Sequence, residues 1–380
     1  MRNKSIPLSL PVFDGREMEY VTDAFKERKL ATEGRFLERK SELLNTVLGG
    51  KEHIALLNSG TSAILIGLQV LGVGFGDEVI CQSFTFAASA NPIVQLGALP
   101  IFVDSEKDTW NIDPDLLQET ILDRIAHGKK PKAIVVVDLF GMPAKFDEIL
   151  AVANKFEIPV LEDAAEALGS YFKGRACGTL GDMGVISFNS NKIITCSGGG
   201  ALISKNKTAI DKAVYLSLQA KEKLPYYEYW ENGYNAHMTN MAAAVGLAQL
   251  ENLERKLFQR KQVFQWYKEL LGNSEGISFM EEKDDIGNNR WLTTILINTS
   301  LLGVSVEEIR QELLKKGIES RRFWKPLHTQ PVFLTAPKYG GSICEELFSV
   351  GLCLPSSEDL TKEDVERISE VLLDKVKMLA

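Results

Sequence analysis

Two hydrophobic periods run along this chain, and they take turns. After an arm in which Pro7 and Pro11 favour extended backbone, Glu17 to Arg28 sets Met18, Val21 and Phe25 at helical spacing. Arg35 to Leu48 repeats that spacing and stops at Gly49-Gly50. Beyond it, short apolar runs at His53–Leu57, Glu78–Cys81, Leu99–Val103, Ala133–Val137, Ile158–Leu161 (continuing to Asp163) and Met183–Phe188 read as strands. Helical patterns lie between and after them: Ala63–Leu71, the stretch from Phe84-Thr85-Phe86 through Leu96, Asp113–Ile125, Lys145–Phe156 and Lys207–Leu218. Continuous apolar strands alternating with helices predict an α/β fold on a mostly parallel sheet covered on both faces. In such sheets ligands sit at the carboxyl ends of the strands.

The pattern changes after Leu218. Pro225 to Asn235 is polar and rich in aromatics, long for a structureless loop, and reads as a functional segment or an interface. Met238 to Tyr267 predicts a long helix broken near Asn252. The domain boundary is expected there, with a large domain over 1–251 and a smaller α/β domain over 252–380. A strand at Trp291–Leu296 and helices at Ser305–Lys316 and Lys362–Met378 belong to the second.

Composition narrows the partners. A formal charge of -8 over 380 residues argues against broad nucleic-acid binding, but a local basic patch can still meet an anionic small molecule. Five cysteines without a CxxC spacing fit a reducing compartment, and four scattered histidines give a metal centre little support. Met1-Arg-Asn-Lys-Ser has no signal-type apolar core after it and no run is of bilayer length, so a cytoplasmic location is expected. Gly72-Val-Gly-Phe-Gly76 follows a helix and precedes a strand, the reverse of a dinucleotide fingerprint.

Candidate chemistry concentrates between Val160 and Leu202. An apolar segment ends in Glu162 and Asp163, with Glu166 three residues on; another carries Ser187 near its end. Lys192 then sits in a polar loop between apolar strands, beside the glycines 198 to 200. A buried lysine loses its proton readily, and its free amine can condense with a carbonyl to a Schiff base. A carboxylate at a neighbouring strand end, Asp163, suits the ring nitrogen of a pyridoxal cofactor. Taken alone, the same residues also read as a solvated loop lysine and a helix cap. Asn58-Ser-Gly-Thr-Ser62 joins a strand to a helix N-terminus, which is an anion site or plain capping.

Six stretches, in order, resemble the DegT/DnrJ/EryC1/StrS sugar aminotransferases, pyridoxal-phosphate enzymes of fold type I. They are Asn58–Ala63, Ser83–Ala87, Glu162–Ala167, Ser187–Lys192 with Gly198–Gly200, Gly233–Asn235, and Trp324–His328 with Gly351–Pro355. The resemblance implies that Lys192 binds the cofactor and shuttles protons, that Asp163 pairs with the ring nitrogen, and that Phe86 stacks on the ring. Gly60, Thr61, Ser62, Ser187 and Asn189 are then cofactor contacts, Glu166 meets the ring hydroxyl, and Asn235 reaches the phosphate of a neighbouring subunit. That last role implies a homodimer with shared sites. Arg321, Arg322, Lys325 and His328 supply charge for a nucleotide-linked keto sugar, and L-glutamate is the implied amine donor. The tail motifs resemble relatives acting on the C4 ketone of a UDP-linked 6-deoxy-N-acetylhexosamine. The chain departs from the family pattern at Glu166, at Ser197 and at Ala236-His237. A dehydratase on the same fold and a pyridoxal-binding regulator are the rival readings.

Overall fold

The computed structural model describes residues 5–283 and 285–377. The outermost parts of the expected arm and last helix, Met1 to Lys4 and Met378, lie outside these. The centre is an eight-stranded sheet. Its spatial order is His53–Leu57, Gly200–Ser204, Met183–Ser187, Val160–Asp163, Ala133–Val137, Glu78–Gln82, Leu99–Val103 and Lys338–Tyr339. Only Gly200–Ser204 runs antiparallel to its neighbours; all other adjacent pairs are parallel. Side chains alternate across the sheet. Ile80, Ile134, Val136 and Ile203 join the apolar cluster on one face, while Val79, Val135, Val137 and Leu202 join the cluster on the other.

A second, four-stranded antiparallel sheet is ordered Ile277–Phe279, Thr293–Ile297, Gly351–Leu354 and Arg321–Arg322. It packs on the helices Leu253–Leu271, Val306–Lys315 and Lys362–Lys377 through a third cluster that also takes Ile6 from the arm. Two features tie the later part of the chain to the large sheet. Lys338–Tyr339 extends its edge, and Asp104 accepts from the N–H groups of Gly341, Ile343 and Cys344 at 2.6, 3.0 and 2.9 Å.

Several boundaries differ from the expectation, each for a local reason. The helix expected at Ala63 opens at Gly60, because Ser59 caps it by accepting from the N–H of Ser62. The segment after Phe86 is a short 3-10 turn at Ala87–Ser89, then a helix restarting at Asn91–Gln95. Pro92 fits a helix's first turn and cannot stand inside one. The apolar run Ile193-Ile194-Thr195 is buried irregular chain, and the strand after the lysine begins at Gly200. The long helix divides at Glu251-Asn252 into Asn240–Leu250 and Leu253–Leu271.

Candidate active site

A cavity of about 520 Å³ opens at the carboxyl ends of the parallel strands. Asp163 and Ser187 end two adjacent strands, and Asn58–Thr61 follows a third. Asp163, Glu166, Lys192, Gly60, Thr61, Ser187, Asn189, Phe86 and Arg321 all line it. All but Arg321 come from four of the stretches singled out in the sequence, and the fold brings them together.

Lys192 is mostly buried, with its Nζ 3.6 Å from Glu166 Oε1 and 3.9 Å above the ring centroid of Trp291. Burial pulls the pKa of this amine below the ordinary lysine value. Glu166 and Asp163 pull the other way, and Arg321 adds to the lowering. Asp163 accepts from Ser89 Oγ at 2.7 Å and from the N–H of Ala165 at 3.2 Å. Burial raises its pKa, against the hydrogen bonds of Ser89 and Ala165 and the charge of Lys192. Glu166 is likewise raised by burial and lowered by Lys192, and it accepts from the Phe140 N–H at 2.8 Å. Phe140 reaches that bond at φ 53, a conformation a bulky residue rarely adopts.

The helix end beside these groups is held close by missing side chains. A Cβ on Gly60 would meet Ser187 Cβ at 3.1 Å, and one on Gly200 would stand 2.4 Å from the Ser59 carbonyl oxygen. The first N–H groups of a helix point outward without intrahelical partners, so those of Gly60 and Thr61 face the cavity beside Ser187.

Other expected contacts lie elsewhere. Ser62 does not line the cavity; its hydroxyl donates to Asn58 Oδ1 at 2.7 Å. Of the four basic candidates only Arg321 lines the cavity. Arg322 donates to the Phe348 carbonyl at 3.0 Å and Lys325 is exposed. His328 is not at the surface. It is buried between Ser83 Oγ at 2.7 Å and Glu345 at 2.9 Å, where it fastens the Pro326–Thr329 turn to the large sheet. Asn235 is exposed, and its carbonyl accepts from Asn58 Nδ2 at 3.3 Å.

Three residues of the site, Ser89, Trp291 and Asn289, were not singled out in the sequence, and a fourth, Trp324, entered only as the start of the Trp324–His328 stretch. Ser89 holds Asp163, and Trp291 covers the lysine while donating from Nε1 to the Asn191 carbonyl at 2.8 Å. Asn289 donates to the carbonyls of Glu166 and Leu168 at 2.8 and 3.0 Å and accepts from the Trp291 N–H at 2.9 Å, joining both walls. Trp324 packs its ring 5.2 Å from that of Phe86. The strand expected from Trp291 onward and the Trp324–His328 stretch were the nearest hints.

The residues present fit pyridoxal phosphate. A buried carboxylate with no cation in salt-bridge reach among the described residues, an amine whose pKa burial lowers, and open helix N–H groups answer its ring nitrogen, aldehyde and phosphate in turn. What the fold and this cavity define is a class, the pyridoxal-phosphate-dependent aminotransferases of fold type I. Within that class the chain belongs to the DegT/DnrJ/EryC1/StrS aminotransferase family, whose sequence profile matches residues 11–373. It is 44% identical over 375 residues to EpsN of Bacillus subtilis, assigned as a pyridoxal phosphate-dependent aminotransferase, covering 98% of this chain and 96% of that one. It is 34% identical over 379 residues to GDP-perosamine synthase of Escherichia coli O157:H7, covering 98% and 100%. The fold matches the PMP form of Spr1654 from Streptococcus pneumoniae, assigned as a sugar aminotransferase. The TM-score is 0.90 at 28% identity, over 99% of this chain and 98% of that one. Among the described residues no helix is long and apolar enough to cross a membrane.

Proposed function

We propose that this enzyme moves the amino group of L-glutamate to the 4-keto group of a UDP-linked 4-keto-6-deoxy-N-acetylhexosamine, in surface-glycan or modified-sugar biosynthesis. The observation that carries the reading is the buried Lys192 amine in one cavity with Asp163 and Glu166. Pyridoxal phosphate, when bound, supplies an aldehyde that takes up the amine and a ring that withdraws electrons from the carbon being deprotonated. The protein does the rest. Lys192 Nζ would take a proton from the donor's α-carbon and deliver it, on the same face, to the carbon that was the cofactor's aldehyde; in the second half-reaction it would work in reverse, ending on the sugar carbon. Asp163, kept in place by Ser89, holds the ring-nitrogen proton, and Glu166 meets the ring hydroxyl. Phe86 covers the ring. Gly60, Thr61, Ser187 and Asn189 hold the phosphate, at a helix start that Ser59 caps. Arg321 meets the anionic acceptor at the mouth, and Trp291 with Trp324 keeps water from the amine.

We take residues 1–251 as the cofactor-binding domain, 252–380 as the smaller domain, and the working form as a cytoplasmic homodimer in which Asn235 reaches the partner's phosphate. A panel of UDP-, GDP- and dTDP-linked 4-keto sugars, each given glutamate and read by mass, tests the assignment. An aminated UDP-N-acetyl sugar formed many-fold faster than the others is expected. Preference for the GDP-linked sugar, the nucleotide named in the Escherichia coli relative, overturns the acceptor. Loss of a hydroxyl without retained nitrogen overturns amination in favour of dehydration.

A further inference from the structure

Lys40, on the Arg35–Val47 helix, is fully buried, yet among the described residues no carboxylate lies within salt-bridge reach of it. Its Nζ is 3.6 Å from Cys196 Sγ and 3.5 Å above the ring centroid of Phe188. The facing helix fixes it there, since a Cβ on Gly246 would come within 2.2 Å of Nζ. An amine in this position serves neither the cofactor cavity nor solvent. Among the described residues its hydrogen-bond partner is that thiol.

Cys196 differs from the other four cysteines in what surrounds it. Cys81 feels Asp163, Cys177 feels Asp138 and Glu162, Cys344 feels Asp104 and Glu345, and Cys353 feels Glu166 along with Arg321. Carboxylates disfavour the thiolate, the form that an oxidant attacks. Burial raises the Cys196 thiol pKa as well, but the charge that acts on it is Lys40, which opposes that rise. Access also differs. The sulfur lies directly beneath Gly199, where a Cβ would stand 2.5 Å from it, and Gly199 lines the cofactor cavity. Gly199 itself puts no side chain between that sulfur and the cavity, although Met238 and Phe188 pack beside the same point.

We propose that Cys196 and Lys40 form an oxidative cross-linking site, joined by a sulfur–nitrogen bond when a hydroperoxide enters the cavity. In the first step the thiolate sulfur attacks one peroxide oxygen and the O–O bond breaks. The sulfur is oxidised by two electrons to a sulfenic acid, and hydrogen peroxide is reduced to water. In the second, the Lys40 nitrogen attacks that sulfur and the S–O bond breaks. The hydroxyl leaves as water with a proton from the amine. The net change is the loss of two hydrogens, with no oxygen retained. Burial favours the second step because it pulls the Lys40 amine toward its neutral, nucleophilic form. The bond ties the Arg35–Val47 helix to the Ser197–Gly199 loop that walls the cavity, and an added dithiol restores both groups.

The test exposes the cofactor-loaded enzyme to hydrogen peroxide, then denatures and digests it without reductant for mass spectrometry. Oxidation of Met18, which is 70% exposed, reports that the dose was sufficient. The expected product is the Lys40 peptide joined to the Cys196 peptide, two hydrogens lighter than their sum and separated by dithiothreitol. Cys196→Ser abolishes it. Lys40→Met abolishes it and lets Cys196 run on to sulfinic acid. Wild-type protein in which Met18 is oxidised while Cys196 stays a thiol, or passes to sulfinic acid without joining Lys40, overturns the proposal. None of these masses depends on which sugar the enzyme aminates.

Discussion

Glu162 and Asp163 are consecutive residues of one strand, and alternation sends them to opposite faces. Glu162 accepts from the N–H groups of Gly178, Leu180 and Gly181 at 2.5, 2.6 and 3.2 Å, so it closes a turn, while Asp163 lines the cavity. Lys192 faces that second carboxylate, and its loss removes the group proposed to move the proton. Positioned acid–base groups contribute about 10²- to 10⁴-fold. Lys192→Ala is therefore expected to lower kcat by at least about 10³-fold, and multiple turnover within tenfold of the parent would contradict the role. Glu166 sets the pH at which this amine is free. Because its carboxylate favours the ammonium form, Glu166→Gln removes a charge that raises the Lys192 pKa. The acidic limb of the kcat/KM profile then moves to lower pH; an unmoved or alkaline-shifted limb would separate the two residues. Lys192 and Asp163 were legible because few positions combine these side chains with strand ends. Ser89 was not, since a serine inside an apparent helix carries no mark of what it faces. His328 was misleading for the same reason: sequence gives its charge, and only packing reveals that both ring nitrogens are already engaged.

At the level of elements, the sheet and helices followed from period alone wherever a run was long. Ala133–Val137, apolar throughout, is a central strand buried on both faces. Lys338–Tyr339 left no trace, because two residues are too few for a period and neither is a strong apolar signal. The glycines after the lysine were visible as a cluster but not as individuals, and here one matters more than the others. Gly200 begins the strand that pairs with His53–Leu57, and its missing Cβ lets the Ser59 cap sit against that strand. Gly200→Ala forces the strand and the helix start apart. An overpacking cost of about 1–3 kcal/mol is expected, with weaker retention of the cofactor. Urea unfolding and a pyridoxal phosphate titration measure the two effects. A variant with both unchanged would mean that the helix start can retreat freely, and the phosphate contact proposed for Gly60 and Thr61 would lose its geometric basis.

Across the whole molecule, the aromatic stretch 225–235 is poorly used by a single copy of the chain. Tyr226, Tyr227, Tyr229 and Trp230 are 61%, 77%, 51% and 75% exposed, a concentration of apolar surface that isolated solvent-facing residues do not make. Asn235 ends the stretch and is itself exposed, near Asn58 but not in this chain's own cavity. Both facts fit a segment that works on a second copy. The arrangement makes a prediction that separates action across the dimer from action within one chain. Suppose Lys192→Ala and Asn235→Ala are each poorly active alone. In a mixed dimer with Asn235 acting across the interface, one site carries both defects and the other carries neither. Unfolding, mixing and refolding the two variants is then expected to restore activity well above either parent. With equal input about half the dimers are mixed, each with one intact site, so roughly a quarter of wild-type turnover is the statistical ceiling. If Asn235 instead serves its own chain, every site in the mixed dimer holds one defect, and mixing restores nothing.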